Sequence, residues 1–283
     1  MHLAVRYGAL PAVGILASHG ARVNTPDGLG MLPLHVAAAA LDADMAASLV
    51  AQGADVNAAV PRSGSTALHM AVLAALSAAG AAPPAGLSCV GLLLGHGAAP
   101  NARDGAGRTP LHQACQDGRE EAADVLLRHG ADVNVPTSLG ENCLFLLLDR
   151  TANLERASLL CKVLGLTYPL SITNSQGALP RALLLPEHQA QRDLLLQLCQ
   201  HPLSLQDTCR IHIHRQYGER SRPRLREMLP EKLHSFLYSS WKCPVGISFP
   251  GMRPSVDNQT AGHLPRTPAD VNTVEVHATA GHI

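Results

Sequence analysis

The feature that most constrains the fold of this chain is a helical unit that is repeated along its first 200 residues. The clearest copy, residues 104–134, reads DGAGRTPLHQACQDGREEAADVLLRHGADVN. Thr109 and Pro110 predict the start of a first helix, because Thr is a good N-cap and Pro is tolerated in the first turn. Gly118 and Gly130 predict the ends of a first and a second helix. One such unit cannot bury its own apolar face, so the copies must stack.

Matching residues give the period of the repeat. His2 and His35 are 33 residues apart, and so are Asn24 and Asn57. Asn101 follows Asn57 by 44 residues, so the third copy carries 11 extra residues. A period of 33 residues is typical of one family of stacked helical repeats.

The extra residues of the third copy form an Ala-, Gly- and Pro-rich stretch around positions 77–86, SAAGAAPPAG. This stretch falls between the two helices of its unit. Pro83 and Pro84 cannot continue a helix, so we predict a flexible bulge. A loop that contacts a substrate is the alternative.

The copies predict a repeat domain over residues 1–200, with about six units. The first unit is truncated, because Met1 stands in the middle of the pattern, and either a shortened gene product or a frayed first helix explains this. It leaves four apolar residues facing an absent neighbour, namely Leu3, Val5, Ile15 and Leu16. The last two units are degenerate. In the fifth, Asn142-Cys143-Leu144-Phe145 replaces Thr-Pro-Leu-His, and the sixth spans about 174–200.

The repeated unit resembles an ankyrin repeat, through its D-x-x-G-x-T-P-L-H-x-A start, its Leu-Leu pair and its G-A-D-V-N end. The resemblance implies an all-α solenoid. It also implies that β-turn tips and first helices form a concave side that holds a protein substrate. By position alone, the exposed candidates for substrate binding are Arg6, Tyr7, Arg62, Arg103, Arg108, Gln116 and Asp117.

A different pattern occupies residues 202–239. Positions 204–213 have the form S-L-x-x-x-C-x-x-x-I, and in a helix Leu205, Cys209 and Ile213 share one ridge. A second apolar pattern, led by Leu229-Pro230 and continued by Leu233, follows downstream. The alternative to a binding motif is a C-terminal cap that covers the last repeat.

Together the two patterns resemble a SOCS box. The resemblance implies that Leu205, Cys209 and Ile213 bind elongin-C, and that Leu229, Pro230 and Leu233 bind a cullin. Cullin boxes of the family often carry Leu-Pro-x-Pro, whereas this chain has a single Leu-Pro there. The chain as a whole, up to about residue 239, is identified as a member of the ankyrin repeat and SOCS box family.

This resemblance implies a non-enzymatic adaptor. The chain would be the substrate-recognition subunit of an elongin-B/C–cullin–RING ubiquitin ligase, with a cullin of the cullin-5 type and an unknown protein substrate. The alternative is a plain ankyrin scaffold whose C-terminal helices only cap the stack. No cofactor is expected, and no nucleophile constellation, phosphate loop or metalloprotease motif is present in the sequence.

Charge and composition bear on the class of partner, the cellular compartment and the C-terminal residues. The formal net charge is zero, which does not favour nucleic acid or an acidic membrane surface as partners. Seven Cys without paired spacing favour the cytoplasm, or the nucleus, over a secreted disulfide framework. Residues 240–283 are rich in Pro and Gly, and we expect a disordered tail there. A cluster of possible zinc ligands lacks the pair spacing of zinc sites: Cys199, His201, Cys209, His212 and His214.

Overall fold

The computed structural model describes residues 1–77 and 83–200, and within them the chain forms paired α-helices. The helices are α1 (His2–Arg6), α2 (Leu10–Ser18), α3 (Pro33–Ala39), α4 (Ala43–Ala51), α5 (Ala67–Ser77), α6 (Pro83–Gly95), α7 (Pro110–Gln116), α8 (Glu120–Arg128), α9 (Cys143–Leu148), α10 (Thr151–Leu154), α11 (Ala157–Leu166) and α12 (Gln189–Gln200). None of these helices is long and apolar enough to cross a bilayer.

The helices form two layers, as the repeat predicts. The first helices α1, α3, α5, α7 and α9 pack side by side in chain order, and α2, α4, α6 and α8 form the second layer. Outside the helices, the described residues contain one isolated antiparallel bridge, between Ala59 and Thr66. The all-α solenoid predicted from the sequence is therefore confirmed.

Leucines at matching positions form the core between the layers. The leucine that precedes the repeat histidine is fully buried in successive first helices, as Leu34, Leu68 and Leu111, and Leu144 is its equivalent in α9. The second helices contribute the fully buried Leu49, Leu93, Leu126 and Leu159. Burying each such side chain stabilises the fold by about 1.5–3 kcal/mol relative to exposure.

Asparagines at the unit ends join consecutive units. The Nδ2 of Asn101 donates to the Gly130 carbonyl at 3.1 Å, and its Oδ1 accepts the Asp132 backbone N–H at 2.8 Å. The same pair of bonds recurs at three further asparagines, namely Asn24, Asn57 and Asn134. We call these four residues the asparagine ladder. It explains why Asn returns with the period of the fold.

Histidines close the start of three first helices, and we call His35, His69 and His112 the histidine caps. The Nδ1 of His112 accepts the Thr109 backbone N–H at 2.9 Å. The same bond forms in the two earlier units at 3.0 and 3.2 Å. Because Nδ1 accepts a hydrogen bond there, the neutral ring carries its hydrogen on Nε2.

The Nε2 atoms of the histidine caps point to the next unit. His35 donates to the Ala58 carbonyl at 2.9 Å, and His69 donates to the Arg108 carbonyl at 3.0 Å. The Nε2 of His112 has no hydrogen-bond partner, although the Val135 and Glu141 carbonyls lie near it. The caps of the second and third units therefore tie their helix starts to the next unit.

In the fifth unit, one asparagine makes the helix-capping bond and the bond to the next unit that the Thr and His pair makes in earlier units. The Oδ1 of Asn142 accepts the Phe145 backbone N–H at 2.8 Å, which caps α9. Its Nδ2 donates to the Ser171 carbonyl at 3.1 Å. Phe145, which stands at the histidine position, is buried. The degenerate motif predicted from the sequence thus keeps both functions of the repeat start by other chemistry.

The third unit differs from the predicted bulge. α5 has 11 residues where α3 and α7 have seven, and α6 has 13 where α8 has nine. Much of the extra chain therefore lengthens the two helices. Pro83 and Pro84 stand at the start of α6, where a missing N–H removes no helical bond. Residues 78–82, the centre of the predicted bulge, lie outside the described residues.

The sixth unit lacks a regular first helix. Two short 3-10 helices, Arg181–Leu184 and Pro186–His188, stand in its place before α12. Pro186 would fall inside a seven-residue helix that began at Arg181, where it would remove a donor and clash with the preceding turn. Leu185 before it is extended, with φ −68° and ψ 140°.

At the N-terminus, the expected exposure of apolar residues is only partly found. Leu3 and Ile15 are exposed, and Leu16 is half-buried. The expectation was wrong for Val5, which is buried, because α1 packs against α3 and Val5 belongs to the continuous core.

The predicted SOCS box at 202–239 and the predicted tail at 240–283 lie outside the described residues, and so does most of the zinc-ligand cluster that was set aside. The elongin-C residues Leu205, Cys209 and Ile213 and the cullin residues Leu229, Pro230 and Leu233 all fall in this part of the chain.

Candidate protein-interaction surface

Apolar side chains continue along the outer face of the first three first helices. The residue after each repeat histidine and the residue three positions later share a helix face, because i and i+3 are neighbours on a helix. In α1, α3 and α5 these positions hold Leu3, Val36, Ala39, Met70 and Leu73, with Arg6 as the one charged member. Tyr7 stands beside Arg6.

These residues remain accessible although they are apolar. Leu3 is 68% exposed, Tyr7 is 81% exposed and Leu73 is 48% exposed, while Ala39 is also exposed. Val36 and Met70 are half-buried. We call Leu3, Tyr7, Val36, Ala39, Met70 and Leu73 the apolar stripe. Single exposed leucines are ordinary, but a contiguous row on adjacent helices indicates an interaction surface.

The apolar stripe ends at α7, where the same face becomes polar. Gln113 and Gln116 occupy the two positions there. Gln113 is largely buried, and its Oε1 has no hydrogen-bond partner. In α9 the positions hold Leu146, which is buried, and Asp149, whose Oδ1 accepts the Arg181 backbone N–H at 2.8 Å. The accessible apolar surface of this face therefore belongs to the N-terminal units.

Three of the predicted substrate-binding residues lie exposed on or beside this surface. Arg6 ends α1, Tyr7 follows it directly, and Arg62 lies in the turn before α5. Arg6 is close enough to Asp27 to help lower the pKa of that carboxyl, behind the larger effect of a hydrogen bond from the Met31 backbone.

The other four predicted residues are held by intrachain contacts or are less accessible. Arg103 is exposed, and its Nη2 donates to the Pro136 carbonyl at 2.7 Å. The expectation of exposure needs correcting for Arg108, Gln116 and Asp117, which are half-buried. Two of these form ion pairs: Arg108 Nε lies 3.3 Å from Asp104 Oδ2, and Asp117 Oδ1 lies 2.8 Å from Arg150 Nη1.

Sequence reasoning missed Val36, Ala39, Met70 and Leu73 as surface residues. The signal that finds them is alignment of the units on the repeat histidine, followed by the positions one and four residues later. A hydrophobicity profile along the chain does not find these residues, because the buried Leu68 and the exposed Leu73 lie in the same apolar helix.

The second-helix layer carries a cluster of opposite charges. Lys162 Nζ in α11 lies 2.7 Å from Glu120 Oε1 and 3.0 Å from Asp124 Oδ2, both in α8. Burial opposes the charge on each partner, but the hydrogen bonds outweigh it, so the pKa of Glu120 is lowered and the pKa of Lys162 is raised. This cluster joins the fourth and fifth units on the side away from the apolar stripe.

Two buried thiols, those of Cys89 and Cys143, are poor nucleophiles. Burial raises the pKa of the Cys89 thiol to about 11 and raises that of Cys143 well above its usual range. A thiol that stays protonated at neutral pH does not attack or bind metal readily. Noncovalent binding of a protein is what the exposed surface can support.

A family model described as "Ankyrin repeats (3 copies)" matches residues 1–79 and 76–165, more than half of the chain. The chain belongs to the ankyrin-repeat family. The ankyrin repeat is a protein-interaction module, which agrees with the apolar stripe. The matched residues include the four asparagines of the asparagine ladder and the three histidine caps.

Relatives of the ankyrin chain have diverse names. It is 32% identical over 146 residues to Neurogenic locus notch homolog protein 1 from Danio rerio, covering 52% of the chain and 6% of that protein. It is 42% identical over 79 residues to Protein phosphatase 1 regulatory subunit 27 from Homo sapiens, covering 28% of the chain and 45% of that protein. It is 30% identical over 130 residues to Ankyrin repeat and SOCS box protein 9 from Homo sapiens, covering 46% of the chain and 42% of that protein. The matches span less than half the length of each of these relatives.

Proposed function

We propose that this chain is a substrate-recognition subunit of an elongin-B/C–cullin–RING ubiquitin ligase. Its ankyrin repeats bind a protein substrate, and residues 202–239 bind elongin-C as a SOCS box, with elongin-B following. The chain itself performs no chemistry. It holds a substrate lysine near a charged ubiquitin-conjugating enzyme and so raises the effective concentration of the two reactants.

One observation carries this proposal: the pattern S-L-x-x-x-C-x-x-x-I at 204–213 directly follows the last repeat-like unit. The described part of the chain runs through α12 to Gln200, and Leu205 comes five residues later in the sequence. A loose amphipathic pattern gains weight from its context. Here the context is an ankyrin domain before it and the Leu229-Pro230 motif after it. A relative whose name pairs ankyrin repeats with a SOCS box supports the same reading.

The roles of the individual residues belong to the proposal. Leu205 enters a pocket on elongin-C, with Cys209 and Ile213 packing beside it at successive helical turns. Leu229, Pro230 and Leu233 contact a cullin of the cullin-5 type. On the ankyrin domain, the exposed Arg6, Tyr7 and Arg62 are the best placed of the predicted substrate contacts.

Co-purification with elongin-B and elongin-C tests the first half of the proposal. Leu205→Ala with Cys209→Phe removes the central anchor and adds a clash. Truncating a central apolar anchor costs about 2 kcal/mol or more, which is roughly thirtyfold in affinity. We expect elongin to be lost from the purified complex while the melting temperature of the ankyrin domain stays unchanged.

A matched variant separates the two halves of the SOCS box. Leu229→Ala with Pro230→Ala should spare elongin binding and weaken only the cullin. If the Leu205 and Cys209 variant still retains elongin at the wild-type level, the adaptor proposal is wrong. The chain would then be a scaffold whose C-terminal residues cap the repeat stack.

A further inference from the structure

The apolar stripe has a defined extent. It covers α1, α3 and α5, which pack side by side, and it stops at Gln113 and Gln116 in α7. Neighbouring helix axes lie about 8–10 Å apart, so the stripe is about 16–20 Å long. A helix rises 1.5 Å per residue, and about 11–13 residues of helix span that length.

The side chains of the stripe also differ in size. Ala39 in α3 is small and exposed, and the equivalent positions in the neighbouring helices hold the larger exposed Arg6 in α1 and Leu73 in α5. The small side chain of Ala39 leaves room over α3 for an apolar side chain of a partner. Anchors of this kind, seated in the centre of an apolar surface, dominate the energy of protein interfaces.

The charges that border the stripe are mainly positive. Arg6 and Arg62 are exposed, and Arg108 is half-buried beside Asp104. The nearby carboxylates are engaged by their own turns: Asp27 Oδ1 accepts the N–H groups of Leu29 and Met31.

Asp104 is engaged in the same way. Its Oδ1 accepts the N–H groups of Ala106 and Arg108. Both aspartates are half-buried in their turns, whereas Arg6 and Arg62 are exposed, so the positive groups are the more accessible to a partner at this edge.

We propose that the apolar stripe binds an acidic, amphipathic α-helix of a partner protein. The helix is about 11–13 residues long. It places an apolar side chain over Ala39 and directs carboxylates toward Arg6 and Arg62. This inference deepens the proposed function, on which it rests for the partner's identity as the substrate.

A random library of displayed 16-residue peptides, selected on the purified full chain, tests the partner class. We expect the enriched peptides to carry apolar residues at helical spacing together with an excess of Asp and Glu. An excess of Lys and Arg, or binders without apolar spacing, would overturn the proposal.

Paired variants test the site. Leu73→Glu and, separately, Met70→Glu should weaken binding of an enriched peptide, measured by fluorescence anisotropy, by about tenfold or more. The control Leu139→Glu changes a leucine that is 55% exposed in the turn before α9 and should leave the affinity within about twofold. Equal losses in the stripe variants and the control, or no loss in either stripe variant, would show that the stripe is not the site.

Charge reversal tests the predicted acidic side of the partner. Arg6→Glu with Arg62→Glu should weaken the peptide, and the loss should shrink as salt is raised. Arg128→Glu on α8 is the control and should have little effect. If the double reversal strengthens binding, the partner is not acidic.

Two further readouts separate this inference from its rivals. Sedimentation that shows a dimer lost in Leu73→Glu would assign the stripe to a second copy of the chain and overturn the inference. Elongin co-purification is independent of the stripe. If the wild-type chain retains elongin but enriches no apolar and acidic peptide, the inference alone is wrong. If the wild-type chain does not bind elongin, the proposed function alone is wrong.

Discussion

The second to fourth units and the fifth unit cap their first helices with different side chains. In the earlier units a buried histidine caps the first helix, and in two of them it also reaches a carbonyl of the next unit. In the fifth, Asn142 makes both bonds, and Phe145 fills the histidine's place in the core. The packing is alike, but only the histidine caps can be protonated. The comparison shows that one fold can hold two regions with different responses to pH.

The largest expected effect tests what the two regions share. Leu126 in α8 and Leu160 in α11 are both fully buried. Leu126→Ala and Leu160→Ala should each lower the free energy of unfolding by about 2–5 kcal/mol, because each removes core contacts and leaves a cavity. Urea titrations measure this, and the exposed Leu139→Ala serves as the control. A loss of only a few tenths at Leu160 would mean that the fifth unit does not share the core of the fourth.

The next effect separates the two regions by pH. Burial lowers the pKa of His112 to about 4 and lowers the pKa values of His35 and His69. An unfolded histidine has a pKa of about 6.5. Between these values the unfolded chain binds more protons than the folded chain, so stability falls as the pH drops from about 6.5 toward 4. His112 alone should account for about 3 kcal/mol of that loss.

A transplanted cap sharpens the pH comparison. Thr109→Asn with His112→Phe gives the fourth unit the residues that the fifth unit uses. The variant should fold, and its stability between pH 6.5 and pH 4 should fall less steeply than that of the wild type. Denaturant titrations at several pH values decide this. An unchanged slope would show that His112 is not the titrating group.

A smaller loss is expected from the cap of the fifth unit. Asn142→Ala removes the bond to the Phe145 N–H and the bond to the Ser171 carbonyl, and cap loss alone costs about 0.5–2 kcal/mol. Asn142→Asp keeps the acceptor for Phe145 but loses the donor for Ser171, so it should fall between the wild type and Asn142→Ala. The Asn142→Ala loss should be the same at pH 7 and pH 5, and a strong pH dependence would contradict the comparison.

The smallest effect belongs to the charges that join the two regions. The Lys162 side chain is 40% exposed, so Lys162→Met should cost at most about 1 kcal/mol, and less at high salt. The lowered pKa of Glu120 means that its contribution is present above its unfolded pKa and is lost as the pH falls through the folded one. The raised pKa of Lys162 means that its contribution is lost only as the pH rises through the folded value. Thermal melts at two salt concentrations measure the effect.

The sequence predicted the regular units well because their contacts are local. The helix start at Thr109 and Pro110 and the helix ends at Gly118 and Gly130 depend on residues within one or two helical turns, and all are present in the structure. The lost first helix of the sixth unit was not predicted. Pro186 prevents this helix from forming. The apolar residues around it, such as Leu183 and Leu184, still suggest a helix when the sequence is read for hydrophobicity alone.

The candidate surface was harder to predict, because accessibility depends on contacts one period away. Arg103 donates to the Pro136 carbonyl and Asp117 pairs with Arg150, both 33 residues further along the chain. Leu73 is apolar yet exposed, because its position in α5 turns away from the core that holds Leu68. Repeat alignment restores part of this information, but the register of neighbouring side chains requires the structure.

The asparagine ladder has a consequence for how such a chain tolerates changes in length. Asn24 and Asn101 each bond a carbonyl 29 residues away, whereas Asn57 bonds one 40 residues away, across the lengthened third unit. The amide geometry is alike in all three, with Nδ2-to-oxygen distances of 3.0–3.1 Å. Spatial register is therefore kept while the sequence between the bonded groups grows. The third unit is accordingly a place where evolution, or an engineer adding an epitope or a fluorophore, can lengthen the chain without altering the step from one repeat to the next.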